Sequence, residues 1–262
     1  MSSRVITLTT DFGLSDHYVG VVKGVIYGLH PEAHVVDLCH LIEPYDVLGG
    51  AITLAASYRF FAPGTVHLVV IDPGVGTARR PLLVQAESWW FVAPDNGVLE
   101  LIYQRHPHRI WALRAEQFAL QPLSNTFHGR DVFAPAAALV SKGTPREQLG
   151  DLTDQVERLF IPQPRVTCNG VQQAAVLKVD RFGNLITNLD PADLPTKFVL
   201  TVNEARVTVL RSSYGAAAPG EVFAIAGSSG YLEISMNQGS AAEATGACAG
   251  SPIELASGGL LE

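Results

Sequence analysis

The sequence predicts an α/β N-terminal domain with a central mostly parallel sheet, followed by a small all-β, barrel-like C-terminal domain. Three observations carry this expectation. Strand-like and helix-like segments alternate up to about Thr153, the order of a layered α/β domain. The stretch Phe160–Gly170 holds Pro162, Pro164, Asn169 and Gly170, which is linker chemistry. From Val171 onward the chain offers only short alternating runs separated by Gly, Pro, Asn and Ser. The domains are therefore expected at residues 1–157 and 170–262.

Val5–Thr9 is a β-branched run, and Ser15–Asp16 is placed to cap a helix reaching about Leu29. Tyr18, Val22, Val25, Ile26 and Leu29 fall on one helical stripe, while Gly20, Gly24 and Gly28 make a smooth face for close packing. Val35–Leu38 reads as a second strand, and Asp46 as the cap of a helix ending near Phe60. Val66–Ile71, largely apolar and bounded by turn residues, has the texture of a buried parallel strand. Leu82–Gln85, Phe91–Ala93 and Ile110–Leu113 read as further strands, and a helix is expected over Phe133–Ser141 before Gly143. In the second domain the expected strands are Ala174–Val179, Lys197–Val202, Arg206–Leu210, Val222–Ala226 and Tyr231–Met236.

Composition narrows the partners. With 47% hydrophobic and 16% charged residues, the chain can bury a substantial core. Its net charge of −7 argues against nucleic acid, which needs clustered Lys and Arg. The N-terminus lacks the pattern of a leader, and no stretch approaches about 18 uninterrupted apolar residues, so a cytoplasmic protein without membrane contact is expected. Cys39, Cys168 and Cys248 are far apart and read as buried reduced thiols. His128 has no second histidine at metal spacing, and the other seven histidines form no convincing HxxxH or HxH-plus-carboxylate site, so neither a metal nor another cofactor is expected.

Four clusters carry candidate chemistry, three of them where a strand gives way to a loop. In open α/β sheets, ligands gather at the carboxyl ends of strands. Asp11, just past the first strand, could grip a ribose diol, or simply shape its loop; Asp16 could simply offset a helix dipole. Asp72 ends the third strand, and the loop after it returns Arg79 seven residues later; alone, this is equally a turn with an exposed Arg79–Arg80 pair. His128, between Phe127 and Gly129, precedes Asp131 and a helix, and is placed to face a cleft, although lone histidines are more often structural. Asp180–Asn184 and Gly227–Gly230 are hairpin turns by composition, and Asp, Asn and Ser serve turns and ligands alike.

Taken jointly, the segments Thr9–Gly13 (TTDFG), Val70–Arg79 (VIDPGVGTAR), Pro94–Gly97 (PDNG), Phe127–Pro135 (FHGRDVFAP), Asp180–Asn184 (DRFGN) and Gly227–Ile234 (GSSGYLEI) resemble, in order and over nearly the whole chain, the S-adenosylmethionine hydroxide adenosyltransferases, relatives of the fluorinating and chlorinating enzymes. The resemblance implies hydrolysis of S-adenosylmethionine to adenosine and methionine, with Asp72, Arg79 and His128 as the catalytic set. It implies Asp11 on the ribose hydroxyls, Phe127, Asp180, Phe182 and Asn184 about the nucleoside, and Ser228, Glu233 and Met236 toward the amino-acid end. It further implies a homotrimer with sites at subunit interfaces. The halogenating relatives carry a hydroxylated aromatic in place of Asp72, a serine in place of Gly129 and an arginine in place of Ser229. The rival readings are a halogenase, in which chloride attacks the same carbon, and a non-catalytic module that binds adenosine or S-adenosylmethionine.

Overall fold

The computed structural model describes residues 4–258, and the chain divides into two units, Met1–Leu159 and Phe160–Glu262. In the first unit the elements run β1 (Val5–Thr10), α1 (Tyr18–Leu29), β2 (His34–Cys39), α2 (Val47–Ser57), β3 (Val66–Val70), β4 (Pro81–Ala86), β5 (Trp89–Pro94), α3 (Glu100–Arg105), β6 (His108–Leu113), α4 (Ala134–Ser141), α5 (Arg146–Leu149) and β7 (Gly150–Thr153). The seven strands form one sheet in the order β2-β1-β3-β5-β4-β6-β7.

That sheet is mixed, which corrects the expectation of a mostly parallel one. β2–β1, β1–β3 and β3–β5 pair parallel, but β5–β4, β4–β6 and β6–β7 pair antiparallel. The reason is local. Only Glu87 and Ser88 separate β4 from β5, and a parallel crossover needs a dozen or more residues. Glu87 takes the left-handed conformation at φ 50° that a tight hairpin demands, without the glycine or asparagine that would have announced it.

Alternation along the buried strands makes three layers. Val66, Leu68 and Val70 of β3 face Val19, Val22 and Ile26 of α1 and the alanines of α4. Val69 and Ile71 face the opposite way, toward Leu54 of α2 and Ile102 of α3. All five residues of β3 are buried, as its apolar texture predicts. Asp46 caps α2 as expected, its carboxylate accepting from the Gly49 amide at 2.8 Å.

Several local expectations fail. Helix α1 begins at Tyr18 with His17 at its N-cap and no side-chain cap, while the Ser15 hydroxyl turns to Asp16 at 3.4 Å. Gly20, Gly24 and Gly28 are exposed, and apart from their own helix nothing among the described residues of this chain lies within 4 Å of where their Cβ atoms would be. The cysteines are free, but Cys168 and Cys248 are exposed and Cys39 is only half-buried, against the expectation of buried thiols. No helix among the described residues is long and apolar enough to cross a membrane.

The second unit comprises β8 (Arg165–Val166), β9 (Gln172–Val179), β10 (Leu185–Thr187), β11 (Phe198–Val202), β12 (Ala205–Val207), β13 (Leu210–Arg211), β14 (Val222–Ala226), β15 (Leu232–Met236), α6 (Ala241–Thr245) and β16 (Pro252–Ser257). They pair in the order β12-β11-β16-β9-β10-β15-β14-β13, with β8 on β9. Contacts between β12 and β14 show that the sheet curls, but no pairing among the described residues closes it into a barrel. Two strands on this path, β10 and β16, escape the sequence pattern. The first has three residues and the second opens on Pro252, which the pattern treats as punctuation. Yet β16 is central, joining β11 to β9.

Candidate active site

The chemistry of the first unit gathers where β1 and β3 end and where the chain enters α4. The carbonyl of Ile71, one residue past β3, accepts from Asn96 Nδ2 at 2.8 Å, so the Pro94–Gly97 turn holds the strand end in place. The next residue, Asp72, opens a loop that folds back through Val75 N–H to Asp72 O (3.2 Å) and Thr77 N–H to Gly74 O (3.2 Å). Gly76, at φ 76°, lies against the Asn125 carbonyl, and a Cβ there would sit 2.1 Å from that oxygen. Only glycine permits so close a crossing of two loops.

This fold-back returns Arg79 to Asp72. Arg79 Nε donates to both carboxylate oxygens, at 2.9 and 3.0 Å, and Nη2 donates to Oδ2 as well. Both side chains are almost fully buried, at 9% and 6% exposure, and the guanidinium stacks 5.0 Å from the Phe133 ring centre. The expected alternative, an exposed Arg79–Arg80 pair, is half right. Arg80 turns outward and pairs with Asp95 at 2.6 Å.

His128 completes the set. Arg79 Nη2 lies 2.8 Å from His128 Nδ1. A guanidinium offers only donors, so Nδ1 accepts and the ring proton resides on Nε2. Burial, then the charge of Arg79, pushes the imidazole below its ordinary pKa, which keeps this neutral form. His128 immediately precedes a π-helical turn, Gly129–Phe133, that feeds into α4. Such turns recur at functional sites. Asp131, within that turn, does not cap the helix, whose N-cap is Phe133. Buried to 1% exposure, it accepts from the Ser124 amide at 2.8 Å and from Arg130 Nε at 2.6 Å, closing the loop that carries His128.

These groups border a cavity of about 370 Å³ walled by Asp11, Asp72, His128, Phe12, Tyr18 and Phe127, among others. The three aromatic rings pack mutually at 5.2–5.9 Å between centroids. Arg79 is not on that wall; it stands behind Asp72 and His128. Asp11 Oδ2 accepts from the Tyr45 amide at 2.9 Å. Burial, aided by the nearby charge of Asp72, raises the Asp11 carboxyl above its ordinary pKa despite that hydrogen bond. Tyr18, which the helical stripe assigns to the core, is 40% exposed and faces the cavity instead. Tyr45 gave no signal in the sequence, because its role depends on a left-handed backbone (φ 68°) in an irregular loop.

The remaining six sequence-named residues, Asp180, Phe182, Asn184, Ser228, Glu233 and Met236, all line one cavity of about 680 Å³ in the second unit. The turn reading of Asp180 also holds, since Oδ1 accepts from the Phe182 and Asn184 amides at 2.8 and 2.9 Å. Asp180 Oδ2 in turn accepts from Asn184 Nδ2 at 2.8 Å, which aims the amide. Glu233 is buried and accepts from the Tyr214 hydroxyl at 3.1 Å. Burial, with the charge of Asp180, raises its carboxyl, while burial and Glu233 push the Tyr214 phenol up to about 12. Sequence reasoning missed Tyr214, a single aromatic in a Ser-, Gly- and Ala-rich loop without periodicity. Ser229 Oγ is buried on this wall with no partner among the described residues.

Known proteins resemble this chain over nearly its whole length. The profile of the SAM hydroxide adenosyltransferase N-terminal domain matches residues 6–150, and that of the C-terminal domain matches residues 174–254. A protein of Thermus thermophilus named (R)-S-adenosyl-L-methionine hydrolase is 40% identical, covering 96% of this chain and 99% of its own. One of Salinispora tropica with the same name is 36% identical, covering 97% and 98%. A protein of Actinoplanes named fluorinase is more distant, at 28% identity over 72% of this chain and 73% of its own. The crystal structure of an uncharacterized conserved protein from Thermotoga maritima superposes with a TM-score of 0.88 at 35% identity, over 95% of this chain and 99% of that one. The chain belongs to the SAM hydroxide adenosyltransferase family.

Proposed function

We propose that the chain hydrolyses S-adenosyl-L-methionine to adenosine and L-methionine, by in-line attack of water on the ribose 5′ carbon. One observation carries this reading: Asp72 and Arg79 of one loop and His128 of another form one hydrogen-bonded chain, with Asp72 and His128 on the wall of a cavity that Asp11 also lines. The relatives named for hydrolysis of the (R)-sulfonium isomer support the same stereoisomer here. The homotrimer implied by the family is retained as part of the reading.

The substrate supplies its own leaving group. As the water oxygen bonds to C5′, the C5′–S bond breaks, its electron pair neutralises the sulfonium, and methionine departs as a thioether. The water proton must go elsewhere. Lowering the pKa of water from 15.7 to about 7 would need about 12 kcal/mol at 1.36 kcal/mol per unit, beyond what one arginine and one neutral histidine supply. The proton is therefore drawn off as the C–O bond forms, with Asp72 on the cavity wall as its acceptor. Arg79 acts from behind, holding Asp72 in place, and its cation stabilises the charge that develops on the water oxygen. His128 presents Nδ1 to Arg79 and locks the guanidinium in plane. Asp11 holds the ribose hydroxyls, and Phe127 borders the nucleoside. In the homotrimer that the family implies, Phe182 and Asn184 of one subunit border the nucleoside held by the next, while Ser228, Glu233 and Met236 receive its amino-acid end, Glu233 as counter-ion to the ammonium.

A Cβ at Gly129 would sit 3.1 Å from Phe12 Cζ and 3.3 Å from Phe127 Cε2, so the packed rings resist the serine of the halogenating relatives. The deciding experiment is chromatography of S-adenosylmethionine incubated with the protein in high chloride. Adenosine and methionine in equal amounts are expected; a 5′-chloro nucleoside would establish the halogenase, and bound but unconverted substrate the non-catalytic module. Asp72→Asn should lower kcat by roughly 10²–10⁴, the scale of a general base, with KM little changed; wild-type turnover in this variant removes the role. Arg79→Lys keeps the charge but cannot bridge Asp72 and His128 as a planar fork. Its kcat should fall by at least about tenfold, and unaltered kinetics would mean that charge alone suffices. The pH dependence of KM tests Asp11. Its pKa is raised and the carboxylate is the binding form, so KM should climb on acidification earlier than an ordinary aspartate allows. That limb should vanish in Asp11→Asn.

A further inference from the structure

The segment that carries Asp11 is held by a neighbour that the proposed reaction does not use. Thr10, the last residue of β1, is fully buried, and its hydroxyl lies 2.8 Å from His40 Nδ1. The same hydroxyl accepts from the Phe12 amide at 3.3 Å. His40, itself buried, places Nε2 2.9 Å from Asp37 Oδ1, and Asp37 Oδ2 accepts from Lys23 Nζ at 2.6 Å. A carboxylate only accepts, so Nε2 carries a proton, and Nδ1 is left to take the proton of the Thr10 hydroxyl. The hydroxyl lone pair then serves Phe12. Beyond Asp11, the Gly13 amide donates to the His40 carbonyl at 2.8 Å, with Gly13 in the left-handed conformation at φ 69°. The segment Thr10–Gly13 is thus fastened on both sides of Asp11 by one residue, through its ring on one side and its carbonyl on the other.

The geometry points to His40 as a positioning residue for Asp11, acting through Thr10 to set the carboxylate that receives the ribose hydroxyls. The proposal rests on the assignment of Asp11 made above. Its chemistry is separable from the reaction, because the Lys23–Asp37–His40–Thr10 chain ends on a backbone amide and offers nothing to the attacking water. A loosened Asp11 should weaken nucleoside binding while leaving the chemical step alone.

The test compares Thr10→Val, which keeps the shape and loses the hydroxyl, with Thr10→Ser, which restores it. Each is assayed with S-adenosylmethionine and with its 2′-deoxyribosyl analogue. Thr10→Val should raise KM for the natural substrate about five- to tenfold, the scale of one lost hydrogen bond, with kcat within about twofold. Thr10→Ser should recover the wild-type KM, and the Thr10→Val penalty should shrink with the deoxy analogue. Combined with Asp11→Asn, Thr10→Val should add little, because both remove the same interaction. If Asp11→Asn raises KM and Thr10→Val does not, the positioning role is overturned while the ribose assignment stands. If Asp11→Asn leaves KM unchanged, the ribose assignment fails first. Should Thr10→Val not fold, the same pair of substrates is applied to Thr10→Ala, and an equal penalty on both substrates, or none on either, overturns the proposal.

Discussion

A buried guanidinium is the constraint on which the first unit depends. Arg79 cannot lose its proton, and taken out of water it needs a carboxylate and acceptors for its remaining N–H groups. Asp72 supplies the carboxylate and His128 Nδ1 an acceptor, both met by the same Nη2. Meeting that demand folds the loop after β3 back on itself and draws the loop before α4 against it. At their crossing the packing is so tight that only Gly76 fits beneath the Asn125 carbonyl. The geometry of this cluster and the satisfaction of a buried charge are thus one arrangement. Disturbing any of the three side chains leaves another group buried without its partner.

The same economy recurs elsewhere. Asp180 is a turn former by its hydrogen bonds to Phe182 and Asn184, and the turn it forms presents those two residues to the larger cavity. Asp131 closes the Ser124–Asp131 loop and thereby fixes His128. The Pro94–Gly97 turn looks like a simple reversal, yet Asn96 pins the end of β3 from which Asp72 emerges. Structural and functional readings of such residues are therefore not alternatives. Short polar side chains that satisfy a tight turn internally also determine which neighbours face outward.

Electrostatics separates the two carboxylates of the smaller cavity. Asp72 is engaged by a cation on both oxygens, whereas Asp11 has one backbone amide, partial burial and the charge of Asp72 nearby. Two acids in one cavity are thereby given different environments. In the second cavity Glu233 and Asp180 repeat the theme at lower exposure to cations, with the Tyr214 hydroxyl as donor. A site rich in carboxylates suits a ligand bearing a sulfonium and an ammonium.

Much of this was legible in one dimension. The buried strand Val66–Val70, the Asp46 cap, the change of texture after Phe160 and the loop clusters that bring Asp11, Asp72, His128 and Asp180 to a cavity wall carried local signals, because turns, caps and apolar runs are decided by near neighbours. The mixed order of the sheet did not, since the Glu87–Ser88 hairpin has no glycine to announce it. Nor did β16, the solvent-facing glycines of α1, the exposed cysteines or the turn of Tyr18 toward the cavity. These depend on which surfaces find partners across tens of residues. Spacing could name Asp72, Arg79 and His128 singly, but that Arg79 stands behind the wall, bridging the other two, was decided by tertiary packing alone. Burial, and with it the need of a charge for a partner, is a property of the folded chain and of no residue by itself.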